Sequence, residues 1–375
     1  MDQHKKILFV ANVHQVFLNN QVPYLKWLAD NGHEVHVAAC GDEQIPYAAR
    51  QFNFSIQRRP FEWKNIKAYF ELKKIISENK YDLIHCHTPM GGVLTQLAAC
   101  NFRKKNGLKV IYTAHGFHFY KGAPLIYWLL YYPVEKFLSR FTDALITINE
   151  EDYKNTVRFG FKCSEIFRIQ GIGANSYKFR QLNTEEKKQI RNENGYSDNC
   201  FLLVYAAEFN HGKNHRFVID ALPQLIKQIP NLKVIFAGDG ELKDEMVTYA
   251  RQHNVLDNID FVGFRNDIEK LMGIADVGIS SSRREGLPMN VAEEMFCGIP
   301  VVVSRIRGHI DLIAHGSNGF LFEEGNREGF ILNILNLYWS PELRKQLGGK
   351  GKETVQPFGI ENVMKDMIEY YKLYL

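Results

Sequence analysis

Two rounds of one alternation, a buried-strand pattern followed by a helical one, constrain this 375-residue chain more than any other feature. In the first half KKILFVANV, EVHVAAC, YDLIHCHT, LKVIYTAHG and DALITIN (143–149) read as strands with helical stretches between them. One of those helices, Gln21 to Asn31, stops at Gly32. The pattern restarts with FLLVYAAE, LKVIFAGDG, IDFVGF, ADVGISSS and IPVVVS. Strands of this kind, joined by helices, build parallel doubly wound sheets, which bind ligands outside the carboxyl ends of the strands. The expected fold class is α/β, with two Rossmann-like doubly wound domains, 1–170 and 171–358, facing a central cleft. The polar stretch 171–199 reads as the connection between them.

The length suffices for two such domains, each with its own core. A hydrophobic fraction of 45% and a charged fraction of 23% are those of a soluble globular protein. The six cysteines are scattered with no C-x-x-C pair, as in a reduced cytoplasmic protein. MDQHKK runs straight into a strand pattern, so no secretory leader is expected, and no apolar run reaches the ~18–20 residues of a membrane span. Residues 1–170 hold 22 Lys and Arg against 15 Asp and Glu, while the rest hold 24 against 27. A basic first half suits an anionic partner such as a membrane surface, a polyprenyl phosphate or a nucleic acid. No motif for reading bases is present, so no nucleic acid is expected.

The chemistry concentrates in SRREGLPMNVAEEMFCGIPVVVS, residues 282–304. Glu285 precedes a helix that Gly286 and Pro288 open and Gly298 and Pro300 close, and Glu293 lies a turn or so inside it. Between the two carboxylates are the unpaired N–H groups and positive dipole end of a helix, which suit a phosphate. Carboxylates on either side of a diphosphate, one for sugar hydroxyls and one for a ribose diol, describe a nucleotide-sugar site. These residues resemble the E-x7-E signature of retaining glycosyltransferases of family 4, which have the GT-B fold. The resemblance implies donor contacts from Glu285, Gly286, Leu287, Pro288, Met289, Asn290 and Glu293. In AAEFNHGKNH (206–215) Lys213 matches a family lysine for the diphosphate, whereas Glu208 stands where relatives have an arginine. Gly238 of GDGEL resembles the family's G-x-G turn, and Arg265 of GFRND an arginine near the phosphates, with Asp267 expected to cap the next helix. The resemblance also implies that the last helix, 360–375, packs back on the first domain.

In the first domain IYTAHGFHFYKGAP (111–124) begins at a strand end, where a ligand belongs. The resemblance implies that His115 meets the transferred sugar, with His118 a second candidate. His85 and His87 of HCHTP share a strand face; His87 is taken as an acceptor residue, and no metal is expected because further ligands are lacking. Relatives have a Gly-Gly turn after the first strand; here Asn12 and His14 of ANVHQVFLNNQ stand in that region and are candidates for acceptor contacts. The stretch 123–141 is dense in aromatics, flanked by Lys121, Lys136 and Arg140 and interrupted by Pro133. Its composition fits an interfacial helix or a core helix equally.

The expected activity is retaining transfer of a sugar from a nucleoside diphosphate, UDP foremost, to a hydroxyl of a lipid-linked saccharide on polyprenyl diphosphate. The H-G-F-H-F-Y pattern is similar to that of enzymes of bacterial capsule and exopolysaccharide assembly at the cytoplasmic membrane face. Expected catalytic residues are His115, Lys213 and Glu285, with no cofactor beyond the nucleotide-sugar co-substrate and with peripheral membrane contact. A nucleotide-sugar epimerase of the same fold, and a non-catalytic partner of another glycosyltransferase, stand as alternatives; Glu208 points to the second.

Overall fold

The computed structural model describes residues 4–375. It divides into two compact units, one of residues up to Gly173 together with Val363–Leu375, the other Ala174–Asn362. Each unit is a parallel sheet covered by helices.

In the first unit the strands are β1 (Lys6–Val13), β2 (Glu34–Cys40), β3 (Arg50–Asn53), β4 (Leu83–His87), β5 (Lys109–Ala114), β6 (Ala144–Thr147) and β7 (Glu165–Arg168). They pair in the order β3-β2-β1-β4-β5-β6-β7. β1 and β4 are buried almost throughout, as a sheet covered on both faces requires. The helices Lys64–Asn79 and Pro89–Asn106 pack on one face over Leu8, Val10, Ile84 and Val110, joined by Trp128, Tyr131 and Tyr132 of the helix Leu125–Leu138. Tyr371, on the final helix Ile360–Lys372, is fully buried; its hydroxyl lies 2.7 Å from His85 Nδ1, and Trp27 stacks on its ring.

The second unit has β8 (Phe201–Ala206), β9 (Leu232–Ala237), β10 (Ile259–Gly263), β11 (Val277–Ser280), β12 (Val301–Ser304) and β13 (Phe320–Phe322), in the order β10-β9-β8-β11-β12-β13. Its core joins Leu203, Tyr205, Phe236 and Ile279 to the helices His215–Gln228 and Arg327–Trp339. The helix Thr184–Glu193, within the stretch read as a connection, is fixed to this unit: buried Arg191 donates to the Asp276 carboxylate at 2.7 Å and to the Ile274 carbonyl.

Three strands and a helix went unread in the sequence. β3 is largely exposed, β7 is a half-buried EIFR, and β13 has only three residues, so none carries a long apolar run. Gln15–Asn20 is a short helix in what read as loop. Pro133 interrupts nothing, since the helix runs through it to Leu138. Among the described residues no helix is long and apolar enough to cross a membrane.

In each sheet the chain reverses its direction of growth once, between β1 and β4 in the first and between β8 and β11 in the second. Such a switch point opens a crevice beyond the carboxyl ends of the two strands, so the fold nominates two places for a ligand.

Candidate functional site

Beyond β8 and β11 lie AAEFNHGKNH and SSRREGLP. The first loop is fastened to the second from below. Tyr205 Oη donates to the Lys213 carbonyl at 2.7 Å and meets Ser282 Oγ at 3.0 Å; Ser281 Oγ bonds the Asn214 carbonyl at 2.9 Å; and the Arg283 amide bonds the Gly212 carbonyl. This brings Lys213 Nζ to 2.5 Å from Glu285 Oε1. Burial alone would lower the Lys213 ammonium and raise the Glu285 carboxyl, but their attraction prevails. Lys213 is held above its ordinary range and Glu285 below. Both are therefore charged at neutral pH, with Glu285 only 11% exposed.

The helix Met289–Phe296 starts beside them. No side chain caps it and no acid occupies its first turn. Leu287 and Pro288 are buried at its entry, Gly286 and Met289 half-buried, and Asn290 Nδ2 is buried with no hydrogen-bond partner among the described residues. Gly308 packs so closely that a Cβ would lie 2.9 Å from the Gly286 carbonyl oxygen, and its φ of +83° further favours glycine. Glu293 lies in the second turn, and burial pushes its carboxyl up to about 8 against a weaker pull from Lys178. Next to it Glu294 is fully buried with both oxygens unpartnered among the described residues, and burial, then Glu293, raises it well above the ordinary range.

Gly238 is required where it stands: its φ is +148° and a Cβ would meet the Ala207 carbonyl at 2.1 Å. The GDG turn thus seats on the Lys213 loop, and the Gly238 amide bonds the Gly263 carbonyl, two residues before Arg265. Arg265 grips Asp267 through two bonds of 2.7 and 2.8 Å. Asp267 therefore holds an arginine and does not cap the following helix with its side chain. Glu208 is exposed and accepts from Asn210 Nδ2 at 2.9 Å; it reaches Lys213 only as a minor electrostatic influence.

At the switch point of the first unit the groups are histidines and an asparagine. β1 ends in Asn12, then His14; β4 ends in His87; β5 leads to His115. His14 is 1% exposed, with Nδ1 3.5 Å from Glu43 Oε2; neither of its ring nitrogens, nor the buried Asn12 Oδ1, makes a hydrogen bond among the described residues. His87 Nδ1 lies 3.2 Å from His115 Nε2, so one ring donates and the other accepts, while His87 Nε2 has no partner among the described residues. Burial depresses His115 to about 4 and His87 well below its ordinary value, the latter aided by His85 and His115. Thr88 starts the helix Pro89–Asn106 at φ +66°, ψ 151°, a region that a β-branched residue rarely enters. His118 stands apart, stacked on Tyr131 at 4.4 Å over the inner face of the helix Leu125–Leu138.

Two family models match the chain, Glycosyl transferase 4-like over residues 6–149 and Glycosyl transferases group 1 over 186–354. EpsD of Bacillus subtilis, provisionally named a glycosyltransferase, is 44% identical over 371 residues, 99% of this chain and 97% of its own. The chain belongs to the group 1, family 4-like glycosyltransferases. It is also 28% identical over 273 residues (72% of this chain, 69% of the relative) to the Escherichia coli UDP-Gal:alpha-D-GlcNAc-diphosphoundecaprenol alpha-1,3-galactosyltransferase. HepE of Anabaena, crystallised with UDP and glucose, has a TM-score of 0.80 over 98% of this chain and 100% of its own, at 20% identity. WaaG, a glycosyltransferase involved in lipopolysaccharide biosynthesis, has 0.76 over 96% and 98%, at 16% identity. These likenesses match the two parallel-sheet α/β units to the GT-B fold.

Two further residues of this glycosyltransferase lie beside Glu285 and were not singled out from the sequence. Arg307, 8% exposed, donates from Nε to the Glu285 carbonyl at 3.1 Å. His309, fully buried, bonds the Ser304 carbonyl through Nδ1 at 2.7 Å and lies close enough to feel the Glu285 charge. Both follow β12, and a strand end one position further along the sheet was the available clue. Arg283 is exposed, 3.8 Å from the Glu324 carboxylate and 3.4 Å from Asn214 Oδ1.

Proposed function

We propose that the enzyme transfers a sugar, with retention, from a UDP-sugar to a hydroxyl of a lipid-linked saccharide in assembly of a bacterial cell-surface glycan such as an exopolysaccharide. The observation that carries this is the Lys213–Glu285 pair beside the uncapped helix Met289–Phe296. A diphosphate arriving at that helix end takes the Lys213 ammonium, and sugar hydroxyls take the Glu285 carboxylate. The ion pair thus exchanges one set of charged hydrogen bonds for another and holds both groups ionised until then. The neutral Glu293 carboxyl offers one donor and one acceptor to the two hydroxyls of a ribose diol. Asn290 Nδ2 is a spare donor on the same turn.

In this reading the leaving diphosphate departs under the field of Lys213, Arg265 and the helix end, and its oxygen takes the proton of the attacking hydroxyl on the same face. No protein nucleophile and no metal ion are needed; addition of EDTA is expected to leave the rate unchanged. Asn12, His14, His87 and His115 then belong to the acceptor and the transferred sugar. The acceptor class is suggested by the E. coli relative, whose name specifies a diphosphoundecaprenol-linked sugar.

The test is thermal stability with UDP, GDP and ADP beside Glu293→Ala. A ligand confined to the folded state adds about 2.7 kcal/mol at a hundredfold excess over its Kd. Stabilisation by UDP, absent in the variant, is expected; no stabilisation by any nucleotide in a folded sample overturns the reading.

A further inference from the structure

The helix Leu125–Leu138 has two apolar faces, and only one is covered. Trp128, Tyr131 and Tyr132 pack on the core of the first unit, while Glu135 turns inward to accept from Tyr112 Oη at 3.3 Å. The opposite face presents Leu125, Ile126, Leu129, Leu130, Val134 and Phe137 to solvent, with Leu125 81% and Leu129 71% exposed. Their spacing forms one continuous stripe along the helix, unbroken by any charge. Isolated exposed leucines are ordinary, but a contiguous row of six large apolar side chains marks a contact surface.

Cations bracket the stripe. Lys121 precedes it, Arg140 follows with its guanidinium 4.1 Å from the centre of the Phe137 ring, and Lys136 lies at its side near Tyr132. The one acid of the helix is the buried Glu135. Two helices along the same covered face, Lys64–Asn79 extends the theme. Trp63, just before it and 84% exposed, and Ile66 and Phe70 repeat at helical spacing, with Arg58 and Arg59 upstream. The helix Leu125–Leu138 is only about 21 Å long at 1.5 Å per residue, short of a hydrocarbon core of roughly 30 Å, so it is suited to lie on a bilayer and not to cross one.

We infer that this face of the first unit docks on a bilayer bearing anionic headgroups, with the Leu125–Phe137 stripe entering the interface and Lys121, Lys136 and Arg140 meeting phosphates. Charge decides between occupants. A second copy of the chain would bring the same cations against these, whereas an anionic lipid surface complements them. The inference goes beyond the proposed reaction and does not depend on it.

The test is sedimentation of the full chain with vesicles of phosphatidylcholine alone or mixed with phosphatidylglycerol, neither containing any saccharide acceptor. Expected is binding to the anionic vesicles that weakens as salt is raised to 1 M. A paired Leu125→Gln and Leu129→Gln variant should bind at least about tenfold more weakly. A paired Lys121→Glu and Arg140→Glu variant should lose the preference for anionic lipid. Both variants should keep the wild-type melting temperature, since all four side chains are exposed. Absence of wild-type binding to either vesicle overturns the inference. So does a solution dimer that the Gln pair dissociates without any vesicle binding, which would assign the stripe to a second copy. Because the vesicles carry no acceptor, neither outcome bears on the transfer reaction.

Discussion

The two switch points are built from opposite electrostatics. At β8 and β11 the groups are charged and paired: Lys213 with Glu285, beside a helix end with no cap. At β1 and β4 they are under-bonded: Asn12, His14 beside Glu43, and a His87–His115 couple kept unprotonated by burial. A charged edge can bind an anion and stabilise a leaving group. A neutral imidazole couple beside an amide can orient hydroxyls without repelling or trapping a charge. A glycosyl transfer needs both tasks, and the contrast suggests that each sheet supplies one.

Removing Lys213 should break the contrast most severely. Lys213→Ala leaves the Glu285 carboxylate buried without its partner, the kind of loss that costs about 3–5 kcal/mol. It also removes a charge from the expected leaving-group site, worth roughly 10²–10³ in rate. Expected are a lowered melting temperature, no stabilisation by UDP, and transfer down about a thousandfold. Unimpaired UDP binding in this variant would show that the charged edge is not the nucleotide site.

His115→Ala sharpens the same comparison from the other side. Transfer should fall by about a hundredfold, the lower range for a positioned polar group, while stabilisation by UDP persists. If UDP binding is lost along with transfer, the two edges do not divide the labour as described. His87→Ala should act in the same direction but less strongly, because its Nδ1 reaches the proposed sugar only through the His115 ring.

How much of this contrast the sequence carries differs between the two edges. The long buried strands were legible because an apolar run between turn residues has few other readings; EIFR and FLF were not, being short strands without such a run. Glu285, Glu293 and Lys213 were legible as a spaced motif. Their pairing was not, since it depends on Tyr205 and Ser281 fastening one loop to another about 70 residues away in sequence. Glu294 looks in sequence like the solvated neighbour of Glu293, and only the packing of its helix against β11, where a Cβ on Gly278 would touch its carboxylate, shows it buried. The histidines were visible as residues, but which of them share a proton is a matter of sheet register.

The buried groups also set opposite pH responses. Glu293 and Glu294 have raised folded values, so above the ordinary 4.5 the unfolded chain ionises them more readily than the folded one. Their contribution to stability is therefore lost as pH rises, between about 4.5 and 8 for Glu293. His85 and His115 have folded values lowered to about 3 and 4, so their contribution is lost as pH falls below the ordinary 6.5. Glu294→Gln should accordingly be more stable than wild type at pH 8, by about 2 kcal/mol, with little difference at pH 4.5. Denaturant melts of the two proteins at the two pH values check this. A constant difference would mean that Glu294 is not held neutral.

The smallest expected effect separates strain from bonding at the two junctions. Asn214, before the helix His215–Gln228, is left-handed at φ +54°, which an asparagine tolerates. Thr88, before the helix Pro89–Asn106, sits at φ +66° and ψ 151° and is β-branched, so it is held there at a cost of order 1–3 kcal/mol. It returns little: its Oγ1 accepts from the Gly91 amide at a long 3.4 Å, and a glycine at this cap position loses only a few tenths of a kcal/mol. Thr88→Gly should therefore stabilise the protein by about 1 kcal/mol, whereas Asn214→Gly should change stability by less than about half that. If Thr88→Gly also slows transfer while UDP binding is unchanged, the strain is there to aim the helix start at the histidine edge. If it is stabilising and fully active, the strain is incidental to the turn.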